Sequence, residues 1–206
     1  MPEIKIVKIS DENYPESLKN IFDPPKILYV MDSGSAAGMT DRAVGVVGTR
    51  NMSERGRINT EKIVKELVKE GYTIVSGMAL GVDAVAHWTA INNKGKTIAV
   101  LGAGVDIIYP PQNRELYFKI IDSGGAIISE IPLGKTVLKN LFAARNRIIS
   151  GLCESVIVTE AQIKSGSLIT ARMALDQGKD VFCVPGSPGC DYLLDSGAGI
   201  LSGINL

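Results

Sequence analysis

Glycine and small hydroxyl residues recur directly after short apolar runs of this sequence, where they could bind phosphate. The stretches are Gly48-Thr49-Arg50, residues 76–81 (SGMALG), residues 102–104 (GAG) and Pro185-Gly186. Such residues let a backbone approach a phosphate closely and point helix N-terminal amides at it. Glycine also suits any short turn between a strand and a helix, so one such residue alone decides little. As a set, the stretches favour a ligand that carries phosphate.

Two segments contain cations but no acidic residue. One spans residues 131–153 and the other residues 161–175; their cations and one ring are Lys135, Lys139, Phe142, Arg145, Arg147, Lys164 and Arg172. Cations interleaved with an aromatic residue suit a single nucleic-acid strand, because the cations bind phosphates and the ring stacks on a base. The alternatives are a core position for Phe142 and a solvated helix face for Arg145 and Arg147.

The sequence lacks the common signatures of nucleotide-dependent and hydrolytic enzymes. It contains no G-x-x-x-x-G-K-[ST], no G-x-G-x-x-G and no G-x-S-x-G, which argues against a P-loop ATPase, a dinucleotide oxidoreductase and a serine hydrolase. Ser165-Gly166-Ser167 is interpreted instead as a turn that contacts phosphate and caps the next helix. Asp83 suits a helix cap, and a hydrogen-bonded structural role is favoured for it and for His87. Glu160 suits a general base, but no nucleophile accompanies it.

Composition bounds the class of protein. The chain has 206 residues with 45% hydrophobic and 21% charged residues, and its net charge is zero, which excludes coating of nucleic acid by bulk charge but leaves room for a basic patch. Three cysteines and one histidine predict neither a disulfide framework nor a metal site, and they fit the reducing cytoplasm. No long apolar run and no signal peptide are present, so we expect no membrane association.

The elements that must position these residues are strands alternating with helices from residue 43 onward. The apolar runs are continuous, as is typical of strands that helices cover on both faces, and they predict an α/β fold with a doubly wound, mainly parallel sheet. In such a sheet, the ligand lies beyond the carboxyl ends of the strands, near the point where the strand order reverses. The predicted strands are 43–47, 72–75, 97–101, 126–128, 155–159 and 180–184, and the predicted helices are 53–70, 82–93, 113–122, 139–150 and 166–177.

The first forty residues differ from this pattern. A strand is predicted at residues 4–9, a short helix at 15–21, a break at Asp23-Pro24-Pro25, a strand at 26–30 and a polar loop at 32–40. We therefore expect a short N-terminal extension, residues 1–40, that packs on a main domain of residues 41–206.

Seven ordered motifs closely resemble the DprA/Smf family of DNA-processing proteins. They are VVGTR at residues 46–50, SGMALGVDAVAH at 76–87, IAVLGAGVDIIYP at 98–110, ISEIPLG at 128–134, RNRIISGL at 145–152, SGSLITA at 165–171 and VFCVPG at 181–186. The extension is also similar to the family's lead-in, through Tyr14-Pro15 and Asp23-Pro24-Pro25. The sequence departs from the family's usual Ser at Thr49 and from its usual Pro at Ala143.

The resemblance implies a Rossmann-like fold and a cytoplasmic protein that binds single-stranded DNA and helps load the RecA recombinase onto it, in natural transformation or in recombination generally. It also implies a homodimer with no cofactor, no metal and no catalytic activity. The positions that match the family's DNA contacts and pocket turns are Arg50, Ser76, Gly77, Lys139, Phe142, Arg145, Asn146, Arg147, Ser165, Gly166 and Ser167.

Two other functions stay open on the sequence. Phosphoribohydrolases of the cytokinin-activating type share a similar sheet, but they carry P-G-G-x-G-T-x-x-E where this chain has Ser165-Gly166-Ser167-Leu168-Ile169-Thr170, without the catalytic Glu. The other is a sensor that binds a small nucleotide.

Overall fold

The computed structural model describes residues 3–33, 40–136 and 139–201, and the side chains of residues 139–142 lie outside the described set. The strands are β1 (Glu3–Lys8), β2 (Ile27–Asp32), β3 (Ala43–Val47), β4 (Thr73–Ser76), β5 (Thr97–Val100), β6 (Ala126–Ser129), β7 (Ser155–Val158), β8 (Asp180–Cys183) and β9 (Gly199–Ile200). The helices are α1 (Glu16–Lys19), α2 (Glu54–Lys69), α3 (Val82–Asn92), α4 (Arg114–Asp122), α5 (Lys139–Leu152), α6 (Gly166–Asp176) and α7 (Pro188–Asp195).

The described strands form one sheet in the order β1-β2-β6-β5-β4-β3-β7-β8-β9. All neighbours from β6 to β9 in this order run parallel, whereas β1 and β2 are antiparallel. The chain builds outward from β3 to β6 and then returns to place β7 on the other side of β3. The predicted α/β fold with a doubly wound, mainly parallel sheet is confirmed, and each predicted strand from residue 43 onward agrees with an observed one to within one residue at either end.

Helices cover both faces of the sheet, which explains the continuous apolar runs. Every residue of β3, β4, β5, β6 and β7 is buried. Helices α2, α3 and α4 pack on one face, with Val64 and Leu67 of α2 fully buried. Helices α1, α5, α6 and α7 pack on the other face, where Ile148 and Ile149 of α5 lie in the core.

The N-terminal segment supplies two strands to the same sheet. β2 pairs with β6, and β1 forms the edge next to β2. Between these strands, Leu18 of α1 is fully buried and the Tyr14 hydroxyl donates a 2.7 Å hydrogen bond to the carbonyl of Pro25. The predicted polar loop at residues 32–40 lies mostly outside the described residues.

Two elements near the end of the described chain are absent from the sequence prediction. α7 begins at Pro188, which fits the first turn of a helix, and β9 contributes two residues beside β8. All three cysteines are buried and free, with Cys183 on β8 and Cys190 on α7. Within the described ranges, no helix is long and apolar enough to cross a bilayer.

Candidate functional site

A cleft of about 660 Å³ opens at the carboxyl ends of β3 and β7, where the strand order reverses. This is the position that a doubly wound sheet predicts for its ligand. The volume lies within the roughly 300–1,000 Å³ typical of ligand pockets. Its described lining is Val47, Gly48, Thr49, Arg50, Asn51, Ala79, Asp83, Tyr109, Ala143, Arg145, Asn146, Ile149, Lys164, Ser165, Gly166, Ser167, Ile169 and Thr170.

The turn after β3 forms one wall and presents Arg50. The Thr49 amide donates to the Glu160 carbonyl at 2.8 Å, and the Thr49 carbonyl accepts from the amide of Val82 at 3.2 Å. Glu160 and Val82 pack so close to the backbone of residue 48 that only glycine fits there. A Cβ would lie 2.8 Å from the Glu160 carbonyl oxygen and closer still to the Val82 side chain. The backbone of this turn is therefore fixed by two neighbouring elements, and Arg50 is exposed at the cleft.

Asp83 binds the backbone of the turn that follows β4. Its Oδ2 accepts hydrogen bonds from the amides of Gly77 at 3.1 Å and Ala79 at 3.3 Å. Asp83 is buried, and burial raises its pKa, opposed by the charge of Arg145 and by these two amide hydrogen bonds. The structural role predicted for Asp83 is confirmed. The predicted helix cap is wrong, because the N-cap of α3 is Gly81 and no side chain caps the helix.

Arg145 holds the same turn from the side of α5. Arg145 is 5% exposed, and its guanidinium donates through Nη1 to the carbonyls of Gly77, at 2.6 Å, and Val100. Burial lowers the pKa of Arg145 to about 10, with Asp83 acting against the shift and Arg50 adding to it. The alternative of a solvated helix face is therefore wrong for Arg145. It lines the cleft, but its Nη1 donates to protein carbonyls.

Three predicted contacts, Ser76, Gly77 and Arg147, lie outside the described cleft lining. Ser76 is fully buried, and its hydroxyl donates to the Val46 carbonyl at 2.7 Å. Arg147 is 14% exposed and donates to both carboxylate oxygens of Glu130 at 2.6 and 2.7 Å and to the Asp23 carbonyl at 2.8 Å. The prediction places all three residues among the DNA contacts, whereas in the structure their polar groups form hydrogen bonds within the protein.

The start of α6 faces the cleft opposite Arg50. Ser165 occupies the N-cap position, but its hydroxyl accepts from the Gln162 amide at 2.9 Å and does not cap α6, so the predicted serine cap is wrong. Asn146 reaches across from α5 and donates to the Gly166 carbonyl at 3.3 Å. The Ser167 hydroxyl is buried and has no hydrogen-bond partner among the described residues. The predicted turn is therefore at the cleft.

Lys164 and Tyr109 are among the lining residues that were not predicted contacts. Lys164 is exposed beside the start of α6, and Tyr109 is 44% exposed on the loop that follows β5. The acid-free segment of residues 161–175 already contained Lys164, and Tyr109 lies in the family-like motif at residues 98–110, but no pattern marked Tyr109 as a contact. The predicted contacts Lys139 and Phe142 have side chains outside the described residues, so those two predictions stay predictions.

The described lining is electropositive on balance. Arg50, Lys164 and Arg145 face one carboxylate, Asp83, which the Arg145 charge already offsets. Glu160 lies next to this region, but its carboxylate accepts from the amide and hydroxyl of Ser53, at 3.0 and 2.9 Å, where α2 begins. The arrangement suits an anionic ligand, with two exposed cations and a helix N-terminus aimed into one cleft.

His87 lies below the cleft and has the structural role predicted for it. It is fully buried on α3, and its Nδ1 is 2.7 Å from the Thr97 hydroxyl oxygen. Burial and the charge of Arg145 lower the pKa of His87 to about 3, so the ring is neutral at physiological pH.

Residues 5–205 match the family described as DNA recombination-mediator protein A. The chain is 46% identical over 200 residues to Protein Smf of Synechocystis, covering 93% of this chain and 50% of that protein. It thus spans half of the length of this relative.

Two solved structures share the fold at substantial sequence identity. The X-ray structure of DNA processing protein A from Streptococcus pneumoniae superposes with a TM-score of 0.90 at 40% identity, over 98% of this chain and 72% of that one. DNA processing protein A from Helicobacter pylori, described for its single-stranded DNA binding mode, superposes with a TM-score of 0.86 at 33% identity, over 99% and 94% of the two chains.

Proposed function

Because the chain belongs to the DNA recombination-mediator protein A family, we propose that its cleft binds single-stranded DNA and that the protein passes the strand to a RecA recombinase. The observation that carries the proposal is the meeting of Arg50, Lys164 and the start of α6 in one cleft. The Helicobacter pylori relative, described by its single-stranded DNA binding mode, supports it.

Phosphate is the group that this cleft suits best. Arg50 can hold a phosphate through two donors, and Lys164 adds a second exposed cation. The start of α6 adds backbone amides. A cleft of about 660 Å³ has room for a short stretch of unpaired nucleotides.

A titration of oligo-dT and of a duplex of equal length, at two salt concentrations, tests the proposal. We expect tighter binding of the single strand, weakened by salt with a log–log slope of about −0.7 for each neutralised phosphate. Arg50→Ala should lower affinity about tenfold, as expected for roughly one charged contact, and make the slope shallower by about 0.7. Arg50→Lys should restore only part of the affinity because the planar guanidinium is lost.

Arg172→Ala is the matched control, since Arg172 is an exposed cation on α6 outside the described cleft lining. It should leave affinity and salt slope nearly unchanged. Equal or tighter binding of the duplex, or equal losses from Arg50→Ala and Arg172→Ala, would contradict the proposal.

The role beyond DNA binding is that of a non-catalytic mediator in the cytoplasm that acts as a homodimer. We expect the protein to promote RecA filament assembly on oligo-dT coated with single-strand-binding protein, without hydrolysing ATP or cleaving DNA. Sedimentation would report the dimer. DNA-stimulated ATPase activity that a point change in this chain abolishes would overturn the non-catalytic role.

The phosphoribohydrolase alternative can be distinguished from the DNA-binding function by its reaction product, the free base. Incubation with nucleoside monophosphates should release no free base, because the strand-to-helix turn at Ser165-Gly166-Ser167 lacks the glutamate that such enzymes use. Base release above the rate without protein would favour the enzyme.

A further inference from the structure

Tyr109 is the one aromatic residue in the described lining of the cleft. It lies on the loop between β5 and α4, so it enters the cleft from a different element than Arg50 and the start of α6. Tyr109 is 44% exposed, so part of its surface is accessible at the cleft that it lines.

The loop that carries Tyr109 is tied to its neighbours at both ends. On one side, both Asp106 carboxylate oxygens accept from the Gly134 amide, at 2.9 and 3.0 Å. On the other side, the Asn113 amide group donates to the carbonyls of Met78, at 2.8 Å, and Ala79, at 3.2 Å. A loop held at both ends in this way loses little backbone freedom when a flat ligand binds beside it, which favours binding.

We propose that Tyr109 stacks on a base of the bound strand, while the Arg50 and α6 walls hold its phosphates. The inference rests on the proposed function and assigns the base-contacting part of the same cleft. An aromatic face binds any base, because every base has a π-face, so Tyr109 adds affinity without adding sequence preference.

The experiment compares oligo-dT with an abasic deoxyribose-phosphate oligomer of equal length. Stacking on one base is worth about 5- to 150-fold in affinity, so Tyr109→Ala should lower affinity for oligo-dT by a factor in that range. On the abasic oligomer, the same change should cost less than about twofold, because no base is present. The salt slope should stay the same on both, since no cation is removed.

Three further variants complete the test. Tyr109→Phe keeps the ring and should bind oligo-dT within about twofold of the unchanged protein. Tyr109→Leu keeps apolar bulk without the aromatic face and should lose as much as Tyr109→Ala, which guards against misfolding of the alanine variant. Phe118→Ala is the control, because Phe118 on α4 is 43% exposed and lies outside the described cleft lining.

Equal losses on oligo-dT and the abasic oligomer would overturn the inference, as would unchanged oligo-dT binding by Tyr109→Ala and Tyr109→Leu. A loss in Tyr109→Phe equal to that in Tyr109→Ala would assign the contact to the hydroxyl and also overturn it. Failure of the proposed function looks different, because the unchanged protein would then not prefer oligo-dT over duplex at all.

Discussion

Replacing Arg145 by methionine should lower the stability of the fold, because the guanidinium is buried and supports the turn after β4. The change leaves the carbonyls of Gly77 and Val100 without their donor and Asp83 without a nearby cation. Removing one partner from such a buried charged network costs about 3–5 kcal/mol. At roughly 2–4 °C per kcal/mol for a chain of this size, the melting temperature should fall by about 6–20 °C.

Urea unfolding followed by circular dichroism measures the loss, with Arg50→Met as the matched control. Arg50 is exposed, so its replacement should change the free energy of unfolding by less than about 0.5 kcal/mol while weakening DNA binding. Asp83→Asn provides a second check, because Asp83 and Arg145 are electrostatically coupled. The double variant should be more stable than the sum of the two single losses predicts.

The opposite pattern would refute this reasoning about Arg145. If Arg145→Met has the same melting temperature as the unchanged protein but a lower affinity for oligo-dT, then Arg145 contacts the strand directly. The resemblance to the family implied such a contact. If Arg145→Met lowers the free energy of unfolding by more than it weakens the free energy of binding, Arg145 acts by holding the turn after β4. Binding is measured well below the melting temperature.

Gly81→Ala should destabilise the fold by more than about 1–3 kcal/mol, because φ is +78° there and a Cβ would overlap the Thr49 carbonyl; an unchanged melting curve would contradict this. His87 has a pKa of about 3 in the folded protein against 6.5 in the unfolded chain. The free energy of unfolding that this difference contributes is fully present above about pH 7 and is lost as pH falls. Between pH 6.5 and 5 the loss is about 2 kcal/mol, and His87→Asn should flatten that slope in urea titrations. Arg147→Met should cost about 1.5–3 kcal/mol through its lost pair with Glu130 yet leave oligo-dT affinity unchanged, and reduced affinity at full stability would restore Arg147 as a DNA contact.

The fold was predictable because its strands are buried on both faces and therefore read as continuous apolar runs. Nothing comparable marks β9, which is two residues long, and α7 begins within a Pro-Gly-Ser-Pro-Gly stretch, residues 185–189, that is typical of a turn. The location of the cleft was predictable for the same reason, since it follows from the reversal of strand order.

Individual site residues were harder to predict, because their roles depend on which way a helix faces. Arg145 and Arg147 are two positions apart in one acid-free segment, and composition treats them alike. In the fold, Arg145 lies under the turn after β4, and Arg147 pairs with Glu130 on the side of the N-terminal segment. Tyr109 enters the cleft only because of the path of the loop after β5, for which the sequence carries no periodic signal.

Photo-crosslinking tests most directly whether the cleft beyond β3 and β7 holds the single strand. An oligo-dT containing 5-iododeoxyuridine is bound to the protein, irradiated and mapped by mass spectrometry. We predict crosslinked peptides that contain Tyr109 or belong to the cleft-facing parts of α5 and α6. Crosslinks confined to α2 and α4, on the other face of the sheet, would contradict the account.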